Sequence, residues 1–345
     1  MPIAELLAEV VAEGAIAVGT EVVQRASLAD DAKRLAAWRE LAERLGAAWQ
    51  PPEGGALPSF YGGFDVTRGD SIGRVEAHIR RTGGHTGAYT VARSPYVLGA
   101  GPALNVIREG IMESLRKWLG AEDVAVGRNE AFDRRFIVRG GGDSEGTSEA
   151  LSADVQTRLL AHHDDAVLSS DGKIVTVAWR GFEKDTAKVE SALEVVLGVA
   201  QCRVGWFEAV GETPGARRIG AAGSLEDRAP PSFAFDDGPA PVRVFPALVN
   251  TRLALRAHAR RARPSPVSLR LAIEKDGSFD RTGVPDGLVS SSVASRLGEL
   301  GGARIGAEQG EVWIDLDGTP SATRMGVAVW LVGAMAAGVE GSAFR

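Results

Sequence analysis

Hydrophobic and polar residues alternate along residues 74–80, and this period of two predicts a β-strand with one buried face. His78 and Arg80 fall on the polar side. Residues 252–260 alternate in the same way and predict a second strand of this kind. A helix remains open for that stretch, because its arginines also recur at helical spacing, at positions 252, 256, 260 and 263.

Apolar residues recur every three to four positions in several other stretches, which predicts amphipathic helices. We expect helices over residues 30–49, 102–119, 185–200 and about 320–334. Residues 3–11 have the same spacing and predict a further helix. Asp185 is placed to cap its helix, and Gly120 to end the one before it.

Turn residues between short apolar runs predict β-hairpins. Asp171-Gly172 would turn a hairpin over residues 166–179, and Gln309-Gly310 would turn another. We also expect a strand over Phe132–Val138. Glycine and proline punctuate residues 208–241, and we interpret this stretch as a linker or long loop.

Similar strings recur in the same order along the chain, which indicates an internal duplication. Residues 77–81 (AHIRR) recur as 257–261 (AHARR), and residues 132–134 (FDR) recur as 279–281. The hairpin and helix of residues 166–202 recur at 303–337. On this alignment the second copy lacks the helix expected near residues 102–119.

The first copy resembles a family of bacterial domains of unknown function. The resemblance covers about residues 57–202 and is carried by residues 60–64 (FYGGF), by the F-[DE]-x-x-F-x-V motif at 132–138, and by the helix and hairpin that follow. It implies a shared fold and supplies no chemistry. In the second copy Thr282 and Gly283 replace Arg135 and Phe136, so a shared site there does not follow.

These patterns together predict an α+β fold made of two degenerate copies of an antiparallel sheet-plus-helices unit, preceded by an N-terminal helical arm. The expected boundaries are 1–56 for the arm, 57–205 for the first copy, 206–240 for a linker and 241–345 for a second, shorter copy.

Composition restricts the class of protein. The chain has 345 residues, 44% hydrophobic and 24% charged, which is ordinary for a globular protein. A net charge of −6 makes nucleic-acid binding an unfavoured expectation. The single cysteine, Cys202, favours a reducing compartment, and we expect a small buried side chain there. Glutamates interrupt the apolar N-terminus, so we expect neither a signal peptide nor a transmembrane span, and a cytoplasmic location.

The candidate binding residues lie on the two basic strands. If the copies pair symmetrically, their arginines would line one groove, where guanidinium forks could bind carboxylates or phosphates. A charged outer sheet face that keeps the strands from aggregating is the alternative. The candidates are His78, Arg80, Arg81, Arg256, His258, Arg260 and Arg261.

The sequence contains no recognisable catalytic or cofactor-binding motif, and we expect no cofactor. The histidines lack the spacing of a metal site, and we interpret His162-His163 as the exposed end of a short helix. The glycines at 99–101 and 140–142 match neither dinucleotide nor P-loop fingerprints, so we interpret them as turns.

The sequence therefore favours a non-enzymatic binding or scaffolding protein of the bacterial cytoplasm. Its partner would be an unknown protein, or another copy bound through the N-terminal helices. Two alternatives stay open: an enzyme with a site between the two copies, and an anionic-ligand or nucleic-acid binder that uses the arginine-bearing strands.

Overall fold

The computed structural model describes residues 28–52, 60–82, 85–108, 129–140, 144–163, 165–225, 227–249, 252–261, 269–278, 296–317 and 320–337. The chain divides into two compact units. The first comprises Met1–Val97, Gly101–Cys202 and Gly223–Arg228; the second comprises Leu98–Ala100, Arg203–Ala222 and Ala229–Arg345.

The described residues of the first unit form one antiparallel sheet of eight strands with helices. The helices are α1 (Leu28–Arg44), α2 (Glu130–Asp133), α3 (Ser144–Ala150), α4 (Ala153–Ala161) and α5 (Thr186–Ala200). The strands are β1 (Ala48–Gln50), β2 (Phe60–Arg68), β3 (Ser71–Thr82), β4 (His85–Pro95), β5 (Ala103–Arg108), β6 (Phe136–Gly140), β7 (Val167–Asp171) and β8 (Ile174–Arg180). Their order in the sheet is β1-β2-β3-β4-β8-β7-β5-β6.

Helix α5 supplies much of the first core. It begins after Asp185, whose carboxylate accepts a hydrogen bond from the amide of Ala187 and caps the helix as expected. Its apolar side chains, such as Val189 and Val196, are fully buried, and the helix packs on β3, β4 and β8. Cys202 follows α5 and is buried, which confirms the expectation for that residue.

The described residues of the second unit form a seven-stranded antiparallel sheet. Helix α6 (Val204–Glu208) and a 3-10 helix (Ala209–Glu212) come first, a short 3-10 helix (Gly298–Leu300) lies in the middle, and α7 (Ala322–Ala337) comes last. The strands are β9 (Arg217–Ile219), β10 (Ser232–Phe235), β11 (Val242–Val249), β12 (Arg252–Arg260), β13 (Leu269–Ala272), β14 (Ala303–Glu308) and β15 (Glu311–Asp317). Their order is β13-β14-β15-β12-β11-β10-β9.

The two sheets have the same strand order when β9–β13 are matched with β1–β5 and the hairpin β14–β15 with β7–β8. Even the register agrees across the buried face. In the first sheet one cross-strand row reads Phe64, Val75, Ala92, Val177, Leu168, Val106. In the second the corresponding row reads Phe233, Val244, Ala257, Ile314, Ile305, Leu271. The α+β fold with two copies of one antiparallel unit is therefore confirmed.

The predicted helix over residues 102–119 is wrong where the structure describes it. Residues Ala103–Arg108 form strand β5, which lies between β6 and β7. Leu104, Val106 and Ile107 are all buried, so this short strand lacks the alternation of a half-exposed one. The spacing of Leu104 and Ile107 matches a helix only by coincidence.

The predicted arm and linker both contain the beginnings of a copy. Helix α1 ends at Arg44, because Gly46 takes a left-handed conformation (φ 64°), and Trp49 lies on β1 instead of continuing the helix to residue 49. Residues 206–240, predicted to be a linker, contain the end of α6, the 3-10 helix that follows it, and strands β9 and β10. The two helices correspond to α1 of the first copy. The second copy consequently begins near Val204. The helix expected at residues 3–11 lies outside the described residues.

The strand predicted over Phe132–Val138 begins later than expected. Phe132 and Asp133 belong to the short helix α2, which Asn129 caps through its side-chain oxygen, and the strand begins only at Phe136. The matching string at residues 279–281 lies outside the described residues. Residues 252–260 are a strand, as the alternation predicts, and the hairpins at Asp171-Gly172 and Gln309-Gly310 are confirmed.

Candidate functional site

The first predicted basic strand, β3, places His78 in an ion-pair cluster on the sheet face opposite α5. His78 Nε2 lies 3.1 Å from Glu76 Oε1, and Arg93 Nε of β4 lies 2.8 Å from the same oxygen. Burial alone would raise the pKa of the Glu76 carboxyl, but the hydrogen bond from His78 and the charge of Arg93 hold that pKa below its ordinary value. Arg80 and Arg81 lie further along β3, opposite Gly87 and Thr86.

The second basic strand, β12, is compensated in a similar way. Arg256 donates two hydrogen bonds to Asp315, at 2.6 Å and 2.9 Å, and its guanidinium stands 5.5 Å from the centre of the Trp313 ring. His258 Nε2 lies 3.4 Å from a Glu311 carboxylate oxygen. The guanidinium fork of Arg256 is thus already used by a carboxylate of the neighbouring strand.

The remaining two candidates end this strand. Arg260 is exposed, and Arg261 is half-buried and donates its backbone amide to the carbonyl of Gly310.

The two basic strands do not occupy matching places in the two copies. By the shared register, β3 corresponds to β11 and β12 corresponds to β4, so the counterpart of His78 is Ala247 and the counterpart of His258 is Arg93. The alignment of AHIRR with AHARR is therefore wrong by one strand. The prediction that the two arginine rows occupy equivalent places is wrong for the same reason.

His162 and His163, predicted to be the exposed end of a short helix, instead form a cluster with Trp179 and Glu183. His162 is buried against the Trp179 ring, with 4.6 Å between ring centres, and its Nδ1 accepts a hydrogen bond from the amide of His163. Burial, and after it the charge of His163, lower the pKa of His162. His163 pairs with Glu183 through Nε2.

Glu183 lies at the centre of this cluster and is saturated with donors. Its Oε1 accepts the amides of Lys184 and Asp185 at 2.8 Å each, and its Oε2 accepts the Trp179 indole at 3.1 Å as well as His163. A carboxylate held by four donors positions the chain before α5 and has little capacity left for a substrate. Across the described residues, no group of three histidine, cysteine or acidic side chains could hold a metal ion.

A small apolar cleft opens beside the first turns of α7, and we call it the α7 cleft. Its volume is about 180 Å³. Gly326, Val329 and Trp330 form its floor on one face of the helix. The whole lining consists of Thr213, Pro214, Gly215, Phe235, Asp237, Gly238, Ala240, Gly326, Val329 and Trp330.

The hydroxyl of Thr213 is buried and has no hydrogen-bond partner among the described residues. A buried polar atom without a partner carries a free-energy cost.

The first copy shows what fills the corresponding place there. The copies align closely at this point: Gly46 and Gly215 both have positive φ, and the carbonyls of Asp185 and Ser321 each accept the amide of the fourth residue of their helix, Val189 and Met325. By this alignment the positions of Arg44, Arg68, Glu190 and Glu194 correspond to Thr213, Asp237, Gly326 and Trp330.

In the first copy these four residues form two ion pairs across the surface of α5. Arg44 lies 2.9 Å from Glu190, and Arg68 pairs with Glu194 one helical turn later. The second copy keeps none of these four residues. Among the four positions only Asp237 is charged, and its carboxylate stands where the first copy has the cation Arg68. The α7 cleft therefore lies where the first copy carries its two ion pairs.

Comparisons with known proteins add little to this geometry. No protein-family model matches the chain, and no curated protein matches it. Among solved structures, the chain is similar to the crystal structure of the mycobacterial trehalose monomycolate transport factor A, TtfA, with a TM-score of 0.34 and 11% sequence identity. That match covers 49% of this chain and 94% of the TtfA chain, and at such a TM-score it supports no conclusion. In the described part of the chain, the helices are too short or too polar to cross a membrane.

Proposed function

We propose that this protein is a non-enzymatic binding protein of the bacterial cytoplasm, and that it holds a segment of a protein partner in the α7 cleft. The observation that supports this proposal most is the difference between the copies. The same surface carries two ion pairs in the first copy and forms an open apolar cleft with a buried, unpartnered hydroxyl in the second.

The size of the cleft favours a protein segment over a metabolite. Sites for small molecules usually enclose roughly 300–1,000 Å³, whereas the α7 cleft encloses about 180 Å³. A cleft of this volume suits one anchoring side chain, and buried anchors of that kind supply most of the binding energy at protein interfaces.

The alternative of an anionic ligand has less support. The arginine at the centre of the second basic strand, Arg256, and the arginine beside His78, Arg93, both pair with buried carboxylates. A phosphate or carboxylate ligand would have to displace those partners and leave a buried negative charge, at a large cost in free energy.

Filling the cleft tests the proposal. Gly326 has room for a side chain, since the nearest heavy atom to a Cβ there would be Thr213 Cγ2 at 3.9 Å. Replacing a helix-interior glycine also raises helix propensity by up to about 1 kcal/mol, so Gly326→Leu should stay folded. Peptides selected from a displayed random library on the full chain should bind Gly326→Leu at least about tenfold more weakly than the native protein, a change of about 1.4 kcal/mol.

Gly205→Leu is the matched control. Gly205 is also a helical glycine, lies in the same unit and is exposed, with no heavy atom within 4 Å of a Cβ built on it. Selected peptides should bind this variant as they bind the native chain. Equal binding to the native chain and to Gly326→Leu would overturn the proposal.

A further inference from the structure

We propose that the side chain anchored in the α7 cleft is basic, an arginine or a lysine of the partner. This inference rests on the proposed function and names the chemistry that the cleft recognises. It follows from the carboxylate of Asp237, which has no cation beside it at the position where the first copy has an ion pair.

The first copy demonstrates that a basic side chain fits this position in the fold. Arg68, at the end of β2, extends over α5 and pairs with Glu194, and Arg44 does the same with Glu190. Arg44 ends helix α1 and Arg68 ends strand β2, whereas both carboxylates come from α5.

At the four corresponding positions the second copy has one carboxylate, Asp237, and no cation. Asp237 occupies the position of Arg68, so the negative charge has moved to the strand side. Asp237 is exposed, and it has no hydrogen bond or ion pair with any residue that the structure describes. By contrast, the adjacent Asp236 pairs with Arg217 at 2.8 Å. An outside cation is therefore what would complete the arrangement at Asp237.

The helix side of the cleft suits the rest of such a side chain. Trp330 and Val329 replace charged and aliphatic residues of α5 and offer an apolar surface for a methylene stem. The Trp330 ring already accepts one guanidinium, since Arg296 lies 4.5 Å from its centre.

The sharpest probe is a single amino acid. N-acetyl-arginine N-methylamide should shift the indole Nε1–H signal of Trp330 in NMR titrations of the full chain, the signal being assigned with Trp330→Phe. The citrulline analogue has nearly the same shape and no charge, and we expect it to bind at least about tenfold more weakly. Asp237→Asn should weaken the arginine probe by a similar factor.

Asp236→Asn is the matched control, because it removes the neighbouring carboxylate that Arg217 already pairs with. It should leave the affinity for the arginine probe unchanged. Any of three results would overturn the inference. The arginine and citrulline probes could bind with equal affinity, Asp237→Asn could leave the affinity for the arginine probe unchanged, or the Trp330 signal could fail to shift at the highest soluble probe concentration.

The failure of this inference differs from a failure of the proposed function. N-acetyl-norleucine N-methylamide has an apolar side chain in place of the arginine. If it binds as well as the arginine probe while selected peptides still lose affinity for Gly326→Leu, the cleft holds an apolar anchor. Only the inference of a basic side chain then fails. If selected peptides ignore Gly326→Leu, the proposed function fails together with the inference.

Discussion

Glu183 organises its surroundings through four hydrogen bonds, and its protonation state follows from them. Burial alone would raise the pKa of its carboxyl, but the amide of Asp185 and the side chain of His163 stabilise the charged form and hold the pKa below its ordinary value of 4.5. The depressed pKa in the folded state means that this carboxylate stabilises the protein above pH 4.5, and that the contribution is lost as the pH falls through the lowered value.

Glu183→Gln should therefore destabilise the first unit by about 1–3 kcal/mol at pH 7, because glutamine has one acceptor oxygen where the carboxylate has two. Its NH2 group would face either the two backbone amides or the Trp179 indole and His163. Urea denaturation at a series of pH values measures the difference. We expect it to shrink as the pH falls below 4.5 and the native carboxyl becomes protonated. Glu212→Gln, at the exposed end of a 3-10 helix, is the control. A difference between Glu183→Gln and the native protein that stays constant with pH would contradict the role given to the charge.

His162 should make stability sensitive to pH in a separate range. Its folded-state pKa is lowered from 6.5, mainly by burial. The unfolded chain then binds the proton more readily, so stability declines as the pH falls through 6.5. His162→Asn keeps a polar side chain and removes this titration, and its unfolding free energy should change less between pH 7 and pH 5.5 than that of the native protein. If the unfolding free energies of the native protein and His162→Asn changed in parallel with pH, His162 would not contribute to the pH dependence of stability.

The same cluster shows which residue-scale features a sequence reveals. Adjacent histidines after a short helix indicate an exposed end, and nothing in residues 162–163 signals that Trp179 and Glu183 come back to cover them. Asp185, in contrast, was predicted to be a helix cap, because capping needs only residues two or three positions away. Local interactions such as helix caps can be predicted from a sequence, whereas the burial of a polar side chain depends on elements far along the chain.

At the scale of elements, α1 is part of the first core and not a detachable arm. Trp38 is fully buried, its ring makes edge contacts with Phe64 and Phe182, and its indole donates to the carbonyl of Glu183 at 3.0 Å. Partner capture by this helix, as expected for an arm, would require it to leave the sheet.

Trp38→Ala should cost about 3–5 kcal/mol of stability, because it removes a large buried ring and leaves a cavity between α1 and the sheet. Chemical denaturation of the full chain measures this loss. Arg39→Ala, the next residue on the exposed face, removes only the exposed pair with Glu43 and should change stability by less than about 0.5 kcal/mol. A Trp38→Ala protein as stable as Arg39→Ala would show that α1 does not contribute to the core.

Strand β5 illustrates why the type of an element can be misjudged. Its neighbours β6 and β7 cover both edges, and buried residues occupy both faces, so the chain there carries no alternation. The spacing of Pro102 before it, Leu104 and Ile107 within it, and Ile111 after it in the sequence matches the pattern of a helix equally well. Only pairing with strands far along the chain, which the sequence does not display, decides in favour of the strand.

At the scale of the whole molecule, the duplication was visible while its register was not. The hairpin and final helix of each copy align at nearly the spacing that the sequence indicated, because their turns and helix starts are set locally. The strings AHIRR and AHARR are alike because alanine and arginine are common in this chain, and they misplace the strands by one position. The true correspondence is kept by apolar pairs such as Val177 with Ile314 and Leu168 with Ile305, which share only apolar character and burial.

Matching substitutions in the two cores test that correspondence. Ala92 and Ala257 are both fully buried, and each lies between a valine on one neighbouring strand and a branched residue on the other, Val177 or Ile314. Leucine at either position overpacks the space against the helix, so Ala92→Leu and Ala257→Leu should each cost about 1–3 kcal/mol. Hydrogen–deuterium exchange measured by mass spectrometry follows each unit separately.

We expect Ala92→Leu to increase exchange in the first sheet and Ala257→Leu to increase it in the second, by similar amounts, because the two alanines occupy the same place in two copies of one fold. Ala272→Leu, at an exposed position of β13, is the control and should leave both patterns as they are in the native chain. If Ala257→Leu behaved like this control while Ala92→Leu did not, the two rows would not be equivalent. The comparison of the α7 cleft with the ion pairs of the first copy would then lose its basis, since both depend on the same register.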